Sequence, residues 1–373
     1  MKEKVEKIGK KNIIIAVVFF VSIIIILFGG ALIYNKYFYK KSYAEVEEIM
    51  LKASREYLAS NTSMLPTTAN GIVTITDSML VEAELMKDID SYIKNEQTSC
   101  SGSVVVTNIN DGSYRYVPNL DCGEKYYKTT TFMDYINKNV GMVESGNGLY
   151  EMNGELVYRG DNVNNYIKLS NKTYRIVKFV DNHPVLIYTE KSEPISWDDR
   201  YNVQRDDISG INEYDVSRIR EYLNDLYNST GKEAFFTDND KLMIVQYDLA
   251  IGKRSASDVD NSGALEKSKI LTNQYIGLLP ISDFINASTD INCVSVESKA
   301  CANYNYLSKF IYNWWTVTAS TENTYKVFRV ANKSVPRAET ASTMGYARPV
   351  IYLASDIRYV SGDGSLDNPY VIK

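Results

Sequence analysis

"YARPVIYLASDIRYVSGDGSLDNPYVIK", residues Tyr346 to Lys373, closes the chain. It joins an aliphatic run interrupted by Arg348-Pro349, a Gly362-Asp363-Gly364 turn and a short apolar strand ending one residue before Lys373. Chain ends usually fray, so an apolar terminus predicts a strand paired to structure already formed. Upstream, "TYRIVKFV" and "PVLIY" flank "DNH" as a hairpin. "DVSRIREYLNDLYNSTG" reads as an amphipathic helix with Val216, Ile219, Leu223, Leu226 and Tyr227 on one face, Asp215 as its cap and Gly231 past its end. Few helices and many short strands between long loops predict an α+β domain with a mixed or antiparallel sheet, spanning residues 140–373.

At the other end, Ile13 to Tyr34 carries no charge and only Ser22 as a polar interruption. As a helix the run would reach roughly 33 Å, enough to cross a hydrocarbon core of about 30 Å. It is longer than the apolar region of a cleaved signal peptide. Residues 13–34 are therefore expected to form a transmembrane helix after a basic cytoplasmic segment, residues 1–12, which carries Lys2, Lys4, Lys7, Lys10 and Lys11. A single-pass cell-membrane protein with residues 42–373 extracellular follows. "KSYAEVEEIMLKASREYLASN" places Tyr43, Val46, Met50, Ala53 and Tyr57 on one helical stripe, and the absence of Pro or Gly before it predicts a stalk helix continuous with the anchor. Next come a strand, a helix capped by Thr76 or Asp77, and a hairpin around Asn110-Asp111-Gly112, with Cys100 and Cys122 at its open ends.

Residues 1–41 hold eight lysines and two glutamates, a net +6, so the chain total of −5 leaves −11 for the remainder. An acidic domain of this kind lacks the basic footprint that phosphate backbones require, so no nucleic-acid partner is expected. The four cysteines fall into two close pairs, Cys100 with Cys122 and Cys293 with Cys301, without C-x-x-C spacing or neighbouring histidines, and read as disulfides.

Residues 42–130, with their apolar-to-amphipathic helix, "VTIT", and the cysteines of "TSCSG" and "LDCG", resemble bacterial pilin-like proteins. That resemblance implies one long helix carrying a small α+β head; Gly9 is followed by Lys10 and Lys11, which departs from the pilin processing site. From Gly148 onward, "YLND", "GLLPISDF", the second cysteine pair, "WWTVTA", "VFRVAN" and "ARPVIYLASDI" before "GDGSLDNPYVI" resemble a domain of Gram-positive surface proteins related to the C-type lectin-like and formylglycine-generating-enzyme fold. In that fold the first and last strands pair, which implies that "LVYRG" near Tyr158 receives "NPYVI".

The candidates for chemistry are few. The lone histidine, His183, sits in a hairpin turn, away from any triad partner or zinc set. Cys293 and Cys301 are the thiols that a formylglycine-generating-type oxidase would use. Asp258, Asp260 and Ser262 stand at positions one, three and five of a calcium-type loop whose twelfth residue is Lys269 in place of Glu. Trp197 and Asp198 in "SWDDR", with Trp314, Trp315 and Arg348, are candidate ligand contacts, Arg348 also reading as a buried ion-pair residue above a core tryptophan. Asp198, Asp199, Asp206 and Asp207 read as loop charges. The expectation is a non-enzymatic binding or structural protein, adhesin-like or pilin-like, without cofactor, whose partners are the membrane and a protein or glycan ligand. The alternatives are the oxidase and a minor subunit of a type IV pilus or secretion apparatus.

Overall fold

The structure, a computed structural model, describes residues 20–22, 40–93, 99–109 and 112–373. They divide into two compact units, one within Met1–Pro66, Ile72–Val106 and Pro118–Lys128, the other within Thr67–Gly71, Thr107–Val117 and Thr129–Lys373.

The expected membrane span is corrected here: among the described residues no helix is long and apolar enough to cross a membrane. Of the run 13–34 only Phe20, Val21 and Ser22 are described, as helix, and the rest lies outside the described residues. The transmembrane part of the expected fold, and the single-pass, extracellular placement built on it, lose their support with it. The continuous stalk is also corrected. Lys40, Lys41 and Ser42 are not helical, and helix α1 begins afresh at Tyr43 (Tyr43–Ser60). The reason is local: extended Ser42 accepts from Glu45 N at 3.3 Å while Glu45 Oε2 accepts from Ser42 N at 2.8 Å, a reciprocal capping box that starts a helix.

In the first unit α1 is followed by strand β1 (Ile72–Thr76), helices α2 (Asp77–Glu82) and α3 (Ile89–Tyr92), and parts of strands β2 (Ser101–Asn108) and β3 (Tyr114–Asp121), up to Val106 and from Pro118, the strands ordered β1-β2-β3. The apolar stripe of α1 buries Val46, Met50 and Ala53, as its spacing predicts, while Tyr57 is only half-buried. Gly102 leaves room for it, since a Cβ there would lie 2.6 Å from Met50 Cε. Tyr43 stacks on Tyr127 with ring centres 4.5 Å apart, and the Tyr127 hydroxyl donates to buried Glu47 at 2.9 Å. Cys100 and Cys122 form a disulfide across a separation of 22 residues. Cys100→Ser/Cys122→Ser is expected to cost this small unit about 3 kcal/mol, read as a lower denaturant midpoint; an unchanged midpoint would mean the packing alone holds the unit.

The second unit opens with helix α4 (Phe132–Asn139), followed by β4 (Gly148–Met152), β5 (Glu155–Arg159), β6 (Tyr166–Leu169), β7 (Lys172–Val180), β8 (His183–Tyr188) and β9 (Pro194–Ser196). Helices α5 (Arg218–Asn228) and α6 (Asp238–Met243) precede β10 (Ile244–Val245), β11 (Tyr247–Ala250) and β12 (Ile270–Gln274). Helix α7 (Ile281–Asn286) leads to β13 (Trp314–Ala319), β14 (Lys326–Val330), β15 (Pro336–Thr340), β16 (Met344–Tyr346), β17 (Val350–Leu353), β18 (Tyr359–Ser361) and β19 (Tyr370–Ile372). A nine-stranded sheet runs β10-β17-β8-β7-β6-β19-β18, with β5 also on β7 and β4 on β5. A five-stranded sheet runs β15-β14-β13-β16-β9, and β11 pairs with β12. The α+β class and the β7–β8 hairpin agree with the sequence reading, the turn being made by Asp181 and Asn182 with φ of 48° and 66°.

The closing strand is paired, but not to the implied partner. β19 lies parallel to β6 (Tyr370 opposite Ile167) and antiparallel to β18, whereas "LVYRG" forms β5 and pairs with β4 and β7. Tyr370 decides this, because its buried ring packs edge-on against Phe132 at 5.2 Å, beside β6. Gly364, at φ +77°, brings the preceding loop in: its carbonyl accepts from Tyr166 N at 2.8 Å, and a Cβ would stand 2.6 Å from Asn164 O. Lys373 and Arg358 then exchange main-chain hydrogen bonds at 3.0 and 2.9 Å. The helix cap also differs from expectation. Asp215 belongs to a preceding turn, and Ser217 caps α5 by accepting from Arg220 N at 3.3 Å, which leaves Val216 outside the helix and exposed.

Candidate functional site

Most side chains that the sequence singles out are absorbed by the second unit's core. Trp197 is fully buried and donates from Nε1 to Thr316 O at 3.1 Å. Asp198, far from being a solvated loop charge, is also fully buried: it accepts from the main-chain nitrogens of Arg200, Ile211 and Arg218 and pairs with Arg200 Nη2 at 2.7 Å. Its neighbours Asp199, Asp206 and Asp207 do remain at the surface. Trp315 is buried and donates to Ile195 O at 3.1 Å. Trp314 lies beneath Arg348, as expected, but among the described residues Arg348 has no ion pair. Its guanidinium is sandwiched between the Phe310 and Trp314 rings at 4.3 and 5.0 Å, and Nε donates to Tyr188 O at 3.0 Å. Burial, reinforced by the nearby Arg175 guanidinium, presses its pKa down to about 9, which leaves it charged at neutral pH.

The calcium-type loop holds a cation of its own. Arg254 is fully buried, and its Nη2 donates to the carbonyls of Asp260 (2.5 Å) and Asp258 (3.4 Å). The Asp258 carboxylate accepts from Ser255 N, and that of Asp260 from Ser262 N and Oγ. These groups organise a loop around a guanidinium, which does not fit a calcium ion in the same place. Among the described residues no three His, Cys, Asp or Glu side chains gather as a metal set. His183 is the first residue of β8, and its Nδ1 lies 2.8 Å from Leu353 O.

Two of the concavities among the described residues bear on function. The first is a groove of about 930 Å³ at the loop closed by the Cys293–Cys301 disulfide. Along it stand Ile291 (89% exposed), Val259 (69%), Tyr304 (61%) and Val294 (55%). Glu144, Asp161 and Asp290 also line it. Its Arg159 is committed elsewhere, donating from Nε to Asn286 O at 2.8 Å and from Nη2 to Ser288 O at 2.6 Å. Asp290 accepts from Asn303 Nδ2 and Asn292 N, which lowers its pKa and keeps it anionic.

The second is a recess of about 700 Å³ between β7, β8, β17, the β4–β5 turn and residues 245–286. Lys178, on its floor, reaches Glu155 Oε2 at 2.8 Å and Asp283 Oδ1 at 2.9 Å, and exposed Lys267 adds a longer pair to Glu155 at 3.4 Å. Burial alone would lower the Lys178 pKa, but Asp283 and Glu155 together hold it above its ordinary value. Asp283 nonetheless titrates higher than an ordinary Asp, because its burial and the Glu155 charge outweigh its share of Lys178. The two directions are compatible, since one ammonium bridges two carboxylates. Glu266 sits beside them, raised by burial against the pull of Arg254, and one of its oxygens accepts from Ser282 N at 3.1 Å. Tyr247 stacks on Tyr352 with ring centres 3.9 Å apart at the same recess. None of these groups is legible from sequence spacing. The nearest signal was Lys178 inside the apolar run "TYRIVKFV", a position that alternation and burial place on a floor, not in solvent.

No family model, no curated protein and no solved structure matches this chain.

Proposed function

We propose that the chain is a non-enzymatic binding protein whose lectin-like second unit engages a protein partner through the disulfide-closed loop. The observation that carries this reading is the groove at that loop, where large apolar side chains stand in solvent above a carboxylate-rich wall. Contiguous exposed apolar surface of this kind marks interaction sites. With Arg159 engaged by carbonyls, the wall is complementary to a partner segment carrying lysine or arginine beside an aliphatic anchor. The oxidase reading is disfavoured by the bond between Cys293 and Cys301, which leaves no thiolate pair for that chemistry. No observation favours the pilus-subunit alternative.

A random-peptide display library panned on the full chain, with Ile291→Asp/Val294→Asp for counter-selection, tests it. Basic-aliphatic peptides are expected to enrich and to bind the double variant at least about tenfold more weakly, at unchanged thermal stability. Enriched peptides that ignore the substitutions, or a library that yields none while a glycan array does, would overturn the reading.

A further inference from the structure

The ionic recess shares no lining residue with the loop groove, so it calls for its own ligand. Five carboxylates line it (Glu155, Asp181, Asp248, Glu266 and Asp283) against the ammonium groups of Lys178 and Lys267. Arg254, behind the floor, offsets part of the Glu266 charge at 3.4 Å. Glu266 is 1% exposed, and its Oε2 has no hydrogen-bond partner among the described residues. An unpaired buried carboxylate oxygen is costly, and a donor bearing positive charge is what compensates it best. The walls above the floor are aliphatic: Val157, Val180, Val185, Leu249, Leu278 and Val350. A ligand filling this space therefore needs a cationic donor at one end of an apolar stem. A guanidinium is the poorer fit, because its flat fork wants a bidentate carboxylate and those of Glu155 and Asp283 are already shared with Lys178.

We propose that this recess binds an aliphatic primary ammonium group, the chemistry shared by a lysine side chain and a free alkyl diamine. The stem lies along the valine and leucine walls, and the ammonium joins the carboxylate floor around Glu266, bringing a recess short of positive charge closer to balance. The volume accommodates a lysyl side chain with its flanking backbone, within the range of ordinary ligand sites.

Isothermal titration of the full chain with cadaverine and with Nα-acetyl-lysine N-methylamide tests this, the Nε-acetylated lysine derivative serving as the neutral isostere. Saturable binding is expected, weakened about tenfold by Nε-acetylation and about tenfold by Glu266→Gln, with a several-fold loss in Asp248→Asn. Asp248 is exposed and its variant keeps the core intact, so the test stands even if Glu266→Gln fails to fold. Tighter binding of the lysine derivative identifies a partner's side chain as the source, and tighter cadaverine binding a free diamine; both support the site. No saturable binding of either amine, equal binding of the acetylated compound, or indifference to both substitutions would overturn it. Ile291→Asp/Val294→Asp is expected to leave amine binding unchanged, so failure of the loop reading and failure of this one are read apart.

Discussion

Lys178→Ala is expected to destabilise the second unit by about 3–5 kcal/mol, the largest single-site effect at the recess. Lys178 is 7% exposed, and its ammonium bridges Glu155 and Asp283 at 2.8 and 2.9 Å. Removing it leaves Asp283, itself 5% exposed, with a buried charge and no ion pair among the described residues, the Lys267 charge offsetting it only in small part. Glu155 keeps Lys267, so the loss centres on Asp283. The effect should ease when the carboxylate is removed as well. Lys178→Met/Asp283→Leu is expected to recover more than half of the loss, because apolar side chains of similar size replace a buried pair at little cost. The sign of the pH dependence follows from Asp283. Its folded pKa already lies above the unfolded value, and losing Lys178 raises it further. The variant's deficit is therefore smallest below the unfolded pKa, where Asp283 is protonated in both states, and grows as pH rises through the folded pKa. Denaturant titrations of wild type, single and double variants across the acid range measure this. A deficit that does not change with pH would show that packing, not charge, is what Lys178 supplies.

Tyr370→Ala is expected to cost a comparable amount, about 3–5 kcal/mol, although only three residues follow it in the sequence. Its ring is 1% exposed and fills the space beside Phe132, and its strand is hydrogen-bonded on both sides, to β6 and β18. Emptying that space leaves a cavity beneath a strand of only three residues, so the terminus should detach and release the exchange between Lys373 and Arg358. Hydrogen exchange should accordingly report lost protection at residues 358–361 and 370–373 before any other part of the sheet opens. Val371 points outward and is 36% exposed, so Val371→Ala is the matched control, with an expected change of about 0.5 kcal/mol. Equal effects at the two positions would mean that strand pairing, and not the tyrosine, anchors the terminus.

Legibility differed between fold and site for a physical reason. Alternation, turn residues and cap residues act over a few positions, so the β7–β8 hairpin, the α1 stripe and the ordered terminus could all be read before any contact was known. So could the two disulfides, since close cysteine pairs without metal-ligand spacing leave few other chemistries. Local reading failed where a neighbouring residue competed for the same role: Ser217 displaced Asp215 as a cap, and Ser42 with Glu45 starts a helix where an amphipathic stalk continuous with the anchor was expected. It failed more widely for function. The tryptophans, Asp198 and Arg348 carry the residue types of a binding site, yet burial assigns all of them to the core.

Sequence alone thus determined the α+β class, the pairing of the cysteines and the presence of a closing strand, because each depends on spacing along the chain. Tertiary structure alone decided that this strand lies against β6, that Arg254 sits where a calcium ion would have been sought, and that Lys178 meets Asp283 across more than a hundred residues. Those outcomes depend on which side chains share a desolvated space, and desolvation is set by packing between distant segments.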